Sequence, residues 1–266
     1  MTFFSIFLSM AMAALPPLPM ILERTAENSP AILQYSQTLE FQPAGVVVKE
    51  SWWVTSSRRM RLKAEFTVDG VTYVLNRDYG QKQSEQVYNL QKTAQRIPPQ
   101  FFEHLNFLRD RGDIQQVLAD WGIATSTDLT HRYSKKSPKD EFDYFPHPAM
   151  VLSRAEGVTS YLLFKGDYPK IVDKGIWIEQ DKFVVRKVKM DADTILEFKK
   201  YITVGKTFYF ANERRLDLTQ ETVHIKSSKI SVPKNITFNA LDSSNFNTLP
   251  DVDKTHSVLE FYRRFR

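Results

Sequence analysis

The 266-residue chain contains no cysteine. Disulfide bonds, thiolate metal sites and a cysteine nucleophile are therefore excluded, and so is a lipid anchor attached through an N-terminal cysteine. The sequence also has no P-loop, no G-x-G-x-x-G before a helix, no G-x-S-x-G and no H-E-x-x-H. These absences favour a binding protein over an enzyme. A pair of carboxylates from any two strands still leaves a hydrolase as an alternative.

Charge of one sign is not concentrated anywhere in the chain. The net charge is +5, with 36 basic residues spread among 31 acidic ones. A nucleic-acid-binding protein more often gathers its Lys and Arg on one element. We therefore expect no nucleic-acid partner, and keep an anionic membrane surface as a minor alternative.

Metal-ligand patterns are missing as well. The five histidines are scattered, and no two of them have the spacing of metal ligands. The acidic run at residues 140–143 lies beside lysines and prolines, which is typical of a solvated loop. We predict no metal and no cofactor.

The N-terminus carries an uncharged apolar run from Phe3 to Ala14. Its length suits the core of a signal peptide, and Ala11 and Ala13 supply the small residues of a cleavage site. The run is shorter than the roughly 20 residues that a membrane anchor needs. We predict a signal peptide at residues 1–13, export to the periplasm of a Gram-negative bacterium, and a single domain at residues 14–266.

The stretch Val46–Asn76 has the clearest strand pattern. Apolar and polar residues alternate from Arg59 to Val68, and this period of two is typical of a strand with one dry face. Asp69-Gly70 then separates two β-rich runs, which predicts a tight hairpin. An antiparallel sheet with one apolar side follows from this pattern.

The rest of the chain adds strands around a helical interruption. We predict about five strands up to Leu90 and eight more between Met150 and Ser227, with Asn212 separating two of them. A helix from Pro98 ends at Arg111-Gly112, and a second runs from an N-cap at Asp113 to Gly122. Shorter helical pieces are predicted at Met20–Glu27 and Ser257–Arg266, and the polar segment Ala124–Pro148 is read as a surface excursion.

Three runs resemble a known family: VVVKESWWVTSSRRMRLKAEF, GIWIEQDKFVVRKVKM and VLEFYRRFR. They are similar to the outer-membrane lipoprotein-sorting proteins, the LolA/LolB-like periplasmic carriers. The resemblance as a whole extends over most of the chain, roughly from Met20 onward. The resemblance implies an unclosed antiparallel half-barrel of about eleven strands whose concave face is covered by helices. It also implies that acyl chains are carried in the hydrophobic cavity between them. The chain departs from the family in the 124–148 insertion and in its Arg-rich end.

On this basis we hypothesise a lipid-binding wall formed by one face of several strands. A register slip of one residue would swap the two faces of a strand. Of the adjacent pair Trp52 and Trp53, only one can face the cavity. The hypothetical wall comprises Trp52, Met60, Leu62, Phe66, Tyr73, Leu75, Leu162, Phe164, Ile176, Ile178, Phe183 and Val185, with Phe101, Phe102 and Leu105 on a helical lid.

The sequence thus predicts a non-catalytic, monomeric carrier or binding protein for lipid or for the acyl chains of lipoproteins. Another apolar ligand or an envelope protein partner is the main alternative, and a periplasmic hydrolase is the third. A transmembrane β-barrel would also show alternation, but apolar helices inside the chain argue against it.

Overall fold

The computed structural model describes residues 15–57, 59–68, 70–79, 83–88, 91–124, 149–166, 169–205, 207–238 and 256–266. They form one sheet with three α-helices and a short 3-10 helix. The predicted signal peptide and residues 125–148 of the predicted excursion lie outside the described residues. The helices are α1 (Leu18–Glu27), the 3-10 helix (Phe102–Asn106), α2 (Arg111–Asp120) and α3 (His256–Phe265).

The sheet contains thirteen antiparallel strands. They are β1 (Leu33–Gln42), β2 (Val47–Val54), β3 (Met60–Val68), β4 (Val71–Tyr79), β5 (Gln83–Tyr88), β6 (Gln91–Arg96), β7 (Ala149–Ala155), β8 (Val158–Lys165), β9 (Lys174–Glu179), β10 (Val185–Lys189), β11 (Ile195–Val204), β12 (Phe208–Asp217) and β13 (Thr222–Ser231).

Strands that pair in the sheet are also consecutive in sequence, apart from β1 and β13. That pairing joins two meanders, β1 to β6 and β7 to β13, into one surface whose edges are β6 and β7. The 3-10 helix and α2 lie in the connection between those two edges. The arrangement confirms the predicted fold class, an unclosed antiparallel half-barrel with short helices.

The β3–β4 hairpin forms as the sequence predicts. Val68 pairs with Val71, so the connection is the two-residue loop Asp69-Gly70, and Gly70 has a φ of +79°. Such a φ is easily adopted by glycine because it has no Cβ. On β3, Met60, Leu62, Ala64 and Phe66 are buried, while the residues between them are exposed or half-buried.

One hydrophobic cluster joins the sheet to the helices. We call the sheet face that contributes to it the inner face, and the opposite one the outer face. The helices bury short apolar stripes against this face, including Ile21 and Leu22 of α1, Ile114 and Leu118 of α2, and Phe261 of α3. A second, smaller cluster lies on the outer face around Trp177.

Several boundaries differ from those predicted. β12 continues through Asn212 as one strand, because β11 pairs with it on both sides of that residue, from Phe208 to Asp217. A sixth strand, β6, follows β5 directly and pairs with it, although its sequence QKTAQR shows no apolar alternation.

The start of α2 was also predicted wrongly. The N-cap is Asp110, whose side chain accepts a hydrogen bond from the backbone N–H of Asp113, so Arg111 and Gly112 lie in the first turn. Asp113 in turn accepts from the backbone N–H of Arg109. The predicted end is confirmed: α2 stops at Asp120, and Gly122 follows with a φ of +65°.

Within the described ranges, no helix is both long and apolar enough to span a bilayer.

Candidate functional site

Most residues of the hypothesised wall share the inner face. They belong to the main cluster together with the three residues assigned to the lid. Trp52 is fully buried on the inner face and Trp53 is half-buried on the other side, which answers the question of which tryptophan faces in. The inner-face members of the predicted set are Trp52, Met60, Leu62, Phe66, Tyr73, Leu75, Ile176, Ile178 and Val185.

Two predicted wall residues lie on the opposite face. Leu162 and Phe164 belong to the outer cluster, whereas their neighbours Tyr161 and Leu163 belong to the inner one. The register with β9 shows why, since Leu163 is opposite Ile176 and Leu162 is opposite Trp177. In a strand that is apolar on both sides, hydropathy does not distinguish the faces, and the prediction chose the wrong phase.

Phe183 also departs from its predicted place in a strand. It lies in the turn before β10 with a φ of +53° and packs, half-buried, against the inner cluster. Its ring stacks on that of Tyr161 with centroids 6.2 Å apart. The side chain of Asn28 at the end of α1 donates to the carbonyl oxygen of Phe183, which connects this turn to the helix.

The inner face is covered by aromatic side chains from the 3-10 helix and α3. Phe101 stacks on Tyr79 at 4.9 Å and lies 6.0 Å from the ring of Trp52. Phe102 contacts Phe265 of α3 with ring centroids 5.9 Å apart. The cover is therefore continuous from the 3-10 helix to α3, and the terminal helix has a larger part in it than the sequence indicated.

A group of charged side chains is enclosed within this apolar contact. We call Glu50, Glu103, Arg214 and Arg266 the buried ion cluster. Arg214 Nη1 donates to Glu103 Oε2 at 2.9 Å, and Arg266 Nε donates to Glu50 Oε1 at 3.1 Å. Arg266 Nη2 also lies 3.0 Å from Glu103 Oε1. Each of the four side chains is at most 1% exposed, so water does not screen these ion pairs.

Neutral donors complete the coordination of the two carboxylates. Glu50 accepts from Trp52 Nε1 at 2.8 Å and from the Tyr262 hydroxyl at 2.5 Å. Glu103 accepts from the Tyr35 hydroxyl at 2.8 Å. Gln37 bridges the two halves, because its amide nitrogen donates to both Glu50 and Glu103.

The cluster sets the ionisation of its members. Burial alone would raise the pKa of Glu103, but the guanidinium groups of Arg214 and Arg266 outweigh it and lower that pKa to about 2. Burial, with the nearby Glu103 and Glu50 charges, raises the pKa values of Tyr35 and Tyr262 respectively, so both phenols stay protonated and donate. Burial also lowers the pKa of His104 to about 4, which keeps this imidazole neutral.

Two cavities border the helices. A cavity of about 40 Å³ lies between the end of α1, Leu105 of the 3-10 helix and strands β11 and β12. A larger cleft of about 570 Å³ opens along α3, between that helix and the turns that follow β1 and β12. Its apolar lining includes Leu218, Phe261 and Phe265.

The sequence reasoning missed the buried ion cluster, but a signal was present. Glu50 occupies the same phase of β2 as the buried residues Val48, Trp52 and Val54, and Gln37 interrupts the apolar row of β1 in the same way. A charged residue at a position that the alternation assigns to the buried face of a strand indicates a buried, paired charge. Among the described residues, no group of three His, Asp or Glu side chains has a geometry that could hold a metal ion.

Comparison with known proteins found similarity among solved structures. A LolA superfamily protein from Nitrosomonas europaea is 8% identical, with 88% of this chain and 99% of that chain covered at a TM-score of 0.49. A putative outer-membrane lipoprotein-sorting protein domain from Vibrio parahaemolyticus is 12% identical, with 91% and 97% covered at a TM-score of 0.46. Both descriptions name the family that the sequence resembles.

A DUF1329 family protein from Desulfovibrio piger is 11% identical, with 84% and 96% covered at a TM-score of 0.42. No family model and no curated protein matches the sequence. With TM-scores below 0.5, these similarities by themselves carry no inference about what this protein binds.

Proposed function

We propose that the protein is a non-catalytic carrier or binding protein for lipid or for the acyl chains of lipoproteins in a bacterial cell envelope. The ligand is held on the inner face of the half-barrel, beneath the 3-10 helix and α3. The wall comprises the inner-face residues already described, and Phe101, Phe102 and Leu105 form the lid. Export by the predicted signal peptide is part of the same proposal.

The observation that carries the proposal is how the inner face is covered. A β-sandwich hides such a face under a second sheet. Among the described residues, short helices cover it, and the ones over its centre come from the connection between the two sheet edges and from the terminal segment. Short elements held by side-chain contacts can move away without breaking the strand pairing of the sheet.

We interpret this structure as a closed form. Ligand pockets in proteins are about 300–1,000 Å³, whereas the cavity between the end of α1, the 3-10 helix and strands β11 and β12 is about 40 Å³. An acyl chain must therefore displace part of the cover, and the cleft of about 570 Å³ beside α3 is where entry would begin. At ~0.8 kcal/mol per buried methylene, a chain of about fifteen carbons gains on the order of 10 kcal/mol on leaving water, and this gain works against the cost of the displacement.

A hydrolytic role for the two buried glutamates does not fit their surroundings. Glu103 is paired with two guanidinium groups and Glu50 with one, and each carboxylate accepts hydrogen bonds from several donors. A general base needs a free lone pair and a raised proton affinity, whereas the pKa of Glu103 is lowered to about 2.

Native mass spectrometry of the protein purified from a bacterial host tests the proposal. We expect a co-purifying lipid mass, and saturable binding of a fluorescent fatty acid by protein from which that lipid has been removed. A mass equal to the bare chain together with no fatty-acid binding would count decisively against a lipid carrier. Saturable binding of a different apolar compound in the absence of lipid would favour the alternative ligand.

Strand β8 offers a matched pair of variants. Leu163 and Leu162 are adjacent and at most 1% exposed, but Leu163 faces the inner cluster and Leu162 the outer one. Each Leu→Ala change removes the same atoms and should cost about 2–5 kcal/mol of unfolding free energy. We expect only Leu163→Ala to change the affinity for the fluorescent fatty acid, and equal effects of both variants on binding would place the ligand elsewhere.

A further inference from the structure

Arg266 occupies a site that has the features of a cation receptor. Its guanidinium carbon lies 4.4 Å from the ring centroid of Phe102, 4.7 Å from that of Phe261 and 5.5 Å from that of Trp52. Its nitrogens reach Glu50 and Glu103 at 3.1 and 3.0 Å. Aromatic faces around a cation, closed by carboxylates, are the arrangement that recognises ammonium and guanidinium groups.

The parts of this receptor come from different elements. Glu50 and Trp52 belong to β2, and Glu103 and Phe102 belong to the 3-10 helix. Only Phe261 and the occupant Arg266 come from the terminal segment. If α3 moved away, two carboxylates and two aromatic rings would remain in place.

The charge balance would change when α3 leaves. The buried ion cluster pairs two carboxylates with two guanidinium groups. Arg214 stays bound to Glu103 and to the side-chain oxygen of Gln37, both outside α3. Glu50 would then keep the neutral donors Gln37 and Trp52 and lose its ion pair with Arg266. A carboxylate left buried without a cation is costly, so the opened site favours a cationic occupant.

The terminal segment shows what shape such an occupant has. Val258, Phe261 and Phe265 are buried on the inner face, and the guanidinium of Arg266 lies beside them. The segment therefore presents an apolar body next to a cationic group. A ligand that replaces it needs the same two parts.

We propose that Glu50, Glu103, Trp52 and Phe102 form a binding site for the cationic head of an amphiphile whose apolar tail lies on the inner face, and that Arg266 occupies this site in the closed form. The inference rests on the proposed function, and adds that the ligand carries an ammonium or guanidinium group. The site discriminates against carboxylate and phosphate heads that carry no cation, because Glu50 repels them.

The test uses four probes with the same ten-carbon chain on the full-length protein: decylguanidinium, decyltrimethylammonium, decanol and decanoate. Binding is followed by calorimetry below the micelle concentration, and the release of α3 by hydrogen exchange of residues 256–266. We expect both cations to bind about tenfold or more tightly than decanol, as one desolvated charge-assisted contact provides. We also expect them to accelerate exchange in α3.

Two variants assign the preference to the site. Glu50→Gln should reduce the ratio of cation to decanol affinity to about one. Arg266→Gln removes the internal competitor and should tighten cation binding by about tenfold. Thermal unfolding checks that each variant folds, and Arg266→Gln carries the test if Glu50→Gln does not fold.

The outcomes separate this inference from the proposed function. If decanol or decanoate binds as tightly as the cations while exchange in α3 is accelerated, the protein binds amphiphiles and the cation site is refuted. A cation preference that survives Glu50→Gln, or an affinity that Arg266→Gln leaves unchanged, would refute it too. If none of the four probes binds, both the cation site and the lipid-carrier function are overturned.

Discussion

Replacing Glu103 by glutamine should destabilise the protein strongly, and in a pH-dependent way. The carboxylate accepts from Tyr35, pairs with Arg214 and lies against Arg266, all without access to water. Glutamine keeps the shape but removes the charge, so two buried guanidinium groups would share the single carboxylate of Glu50. Removing one partner of a buried ion pair costs roughly 3–5 kcal/mol.

The pKa of Glu103 gives an independent magnitude. It falls from 4.5 to about 2 on folding, and each unit corresponds to about 1.4 kcal/mol, so ionised Glu103 contributes about 3 kcal/mol at neutral pH. Because the folded-state pKa is the lower one, this stabilisation is complete above the unfolded-state value. It is lost as the pH falls through 4.5 towards 2.

Urea unfolding of the wild type and of Glu103→Gln at a series of pH values measures this contribution. We expect a difference in unfolding free energy of about 3 kcal/mol or more at neutral pH, smaller by about 1.4 kcal/mol at pH about 3.5 and by about 2 kcal/mol at pH about 3. Glu213→Gln is the control, since its partner Lys200 is 68% exposed and such a surface pair contributes about 0–1 kcal/mol. A difference that does not change with pH would refute the ionised, buried state of Glu103.

Three further predictions concern the elements that hold the site. Arg77→Met removes hydrogen bonds to the carbonyl oxygens of Tyr262 and Arg266. It should lower the unfolding free energy by about 1–3 kcal/mol and speed hydrogen exchange in α3. Arg263→Met, at a side chain that is 77% exposed, is the control and should do neither. Gly166→Ala places a Cβ 2.5 Å from the carbonyl oxygen of Ile171, at a residue with a φ of +138°. It should therefore lower the melting temperature more than Gly205→Ala, whose added Cβ would have none of the described neighbouring atoms within 4 Å. Asp110→Ala removes the N-cap of α2 and should cost about 1 kcal/mol in urea unfolding, so a neutral result would contradict the cap assignment.

The sequence predicted the fold class because the local signals agreed with the tertiary structure. Strand β3 is apolar on one side only, so its alternation specified both its type and its face. Strand β8 is buried on both sides from Ser160 to Phe164, and there the same method chose the wrong face for Leu162 and Phe164. Strand β6 gave no hydropathy signal, because it is specified by its pairing with β5.

The buried ion cluster could be predicted only in part. The position of Glu50 on the buried side of β2 indicates a buried charge, but its ion-pair partner Arg266 and the second carboxylate, Glu103, lie 216 and 53 positions further along the chain. No local pattern connects residues that meet only after the helices have packed on the sheet. The Arg-rich terminus, which looked like a departure from the family, supplies one of the two buried guanidinium groups.

The chemistry of the cluster bears on how the cover can leave. A buried ion pair contributes little more than an apolar contact of the same size, because desolvation cancels most of its Coulomb energy. Arg266 therefore determines where α3 docks, but it contributes less to the binding of α3 to the sheet than a buried aromatic side chain would. Its removal is costly only while Glu50 stays unpaired, so a ligand that brings its own cation lowers that cost at the moment of exchange. A purely apolar ligand does not, and this difference is what the comparison of decylguanidinium with decanol measures.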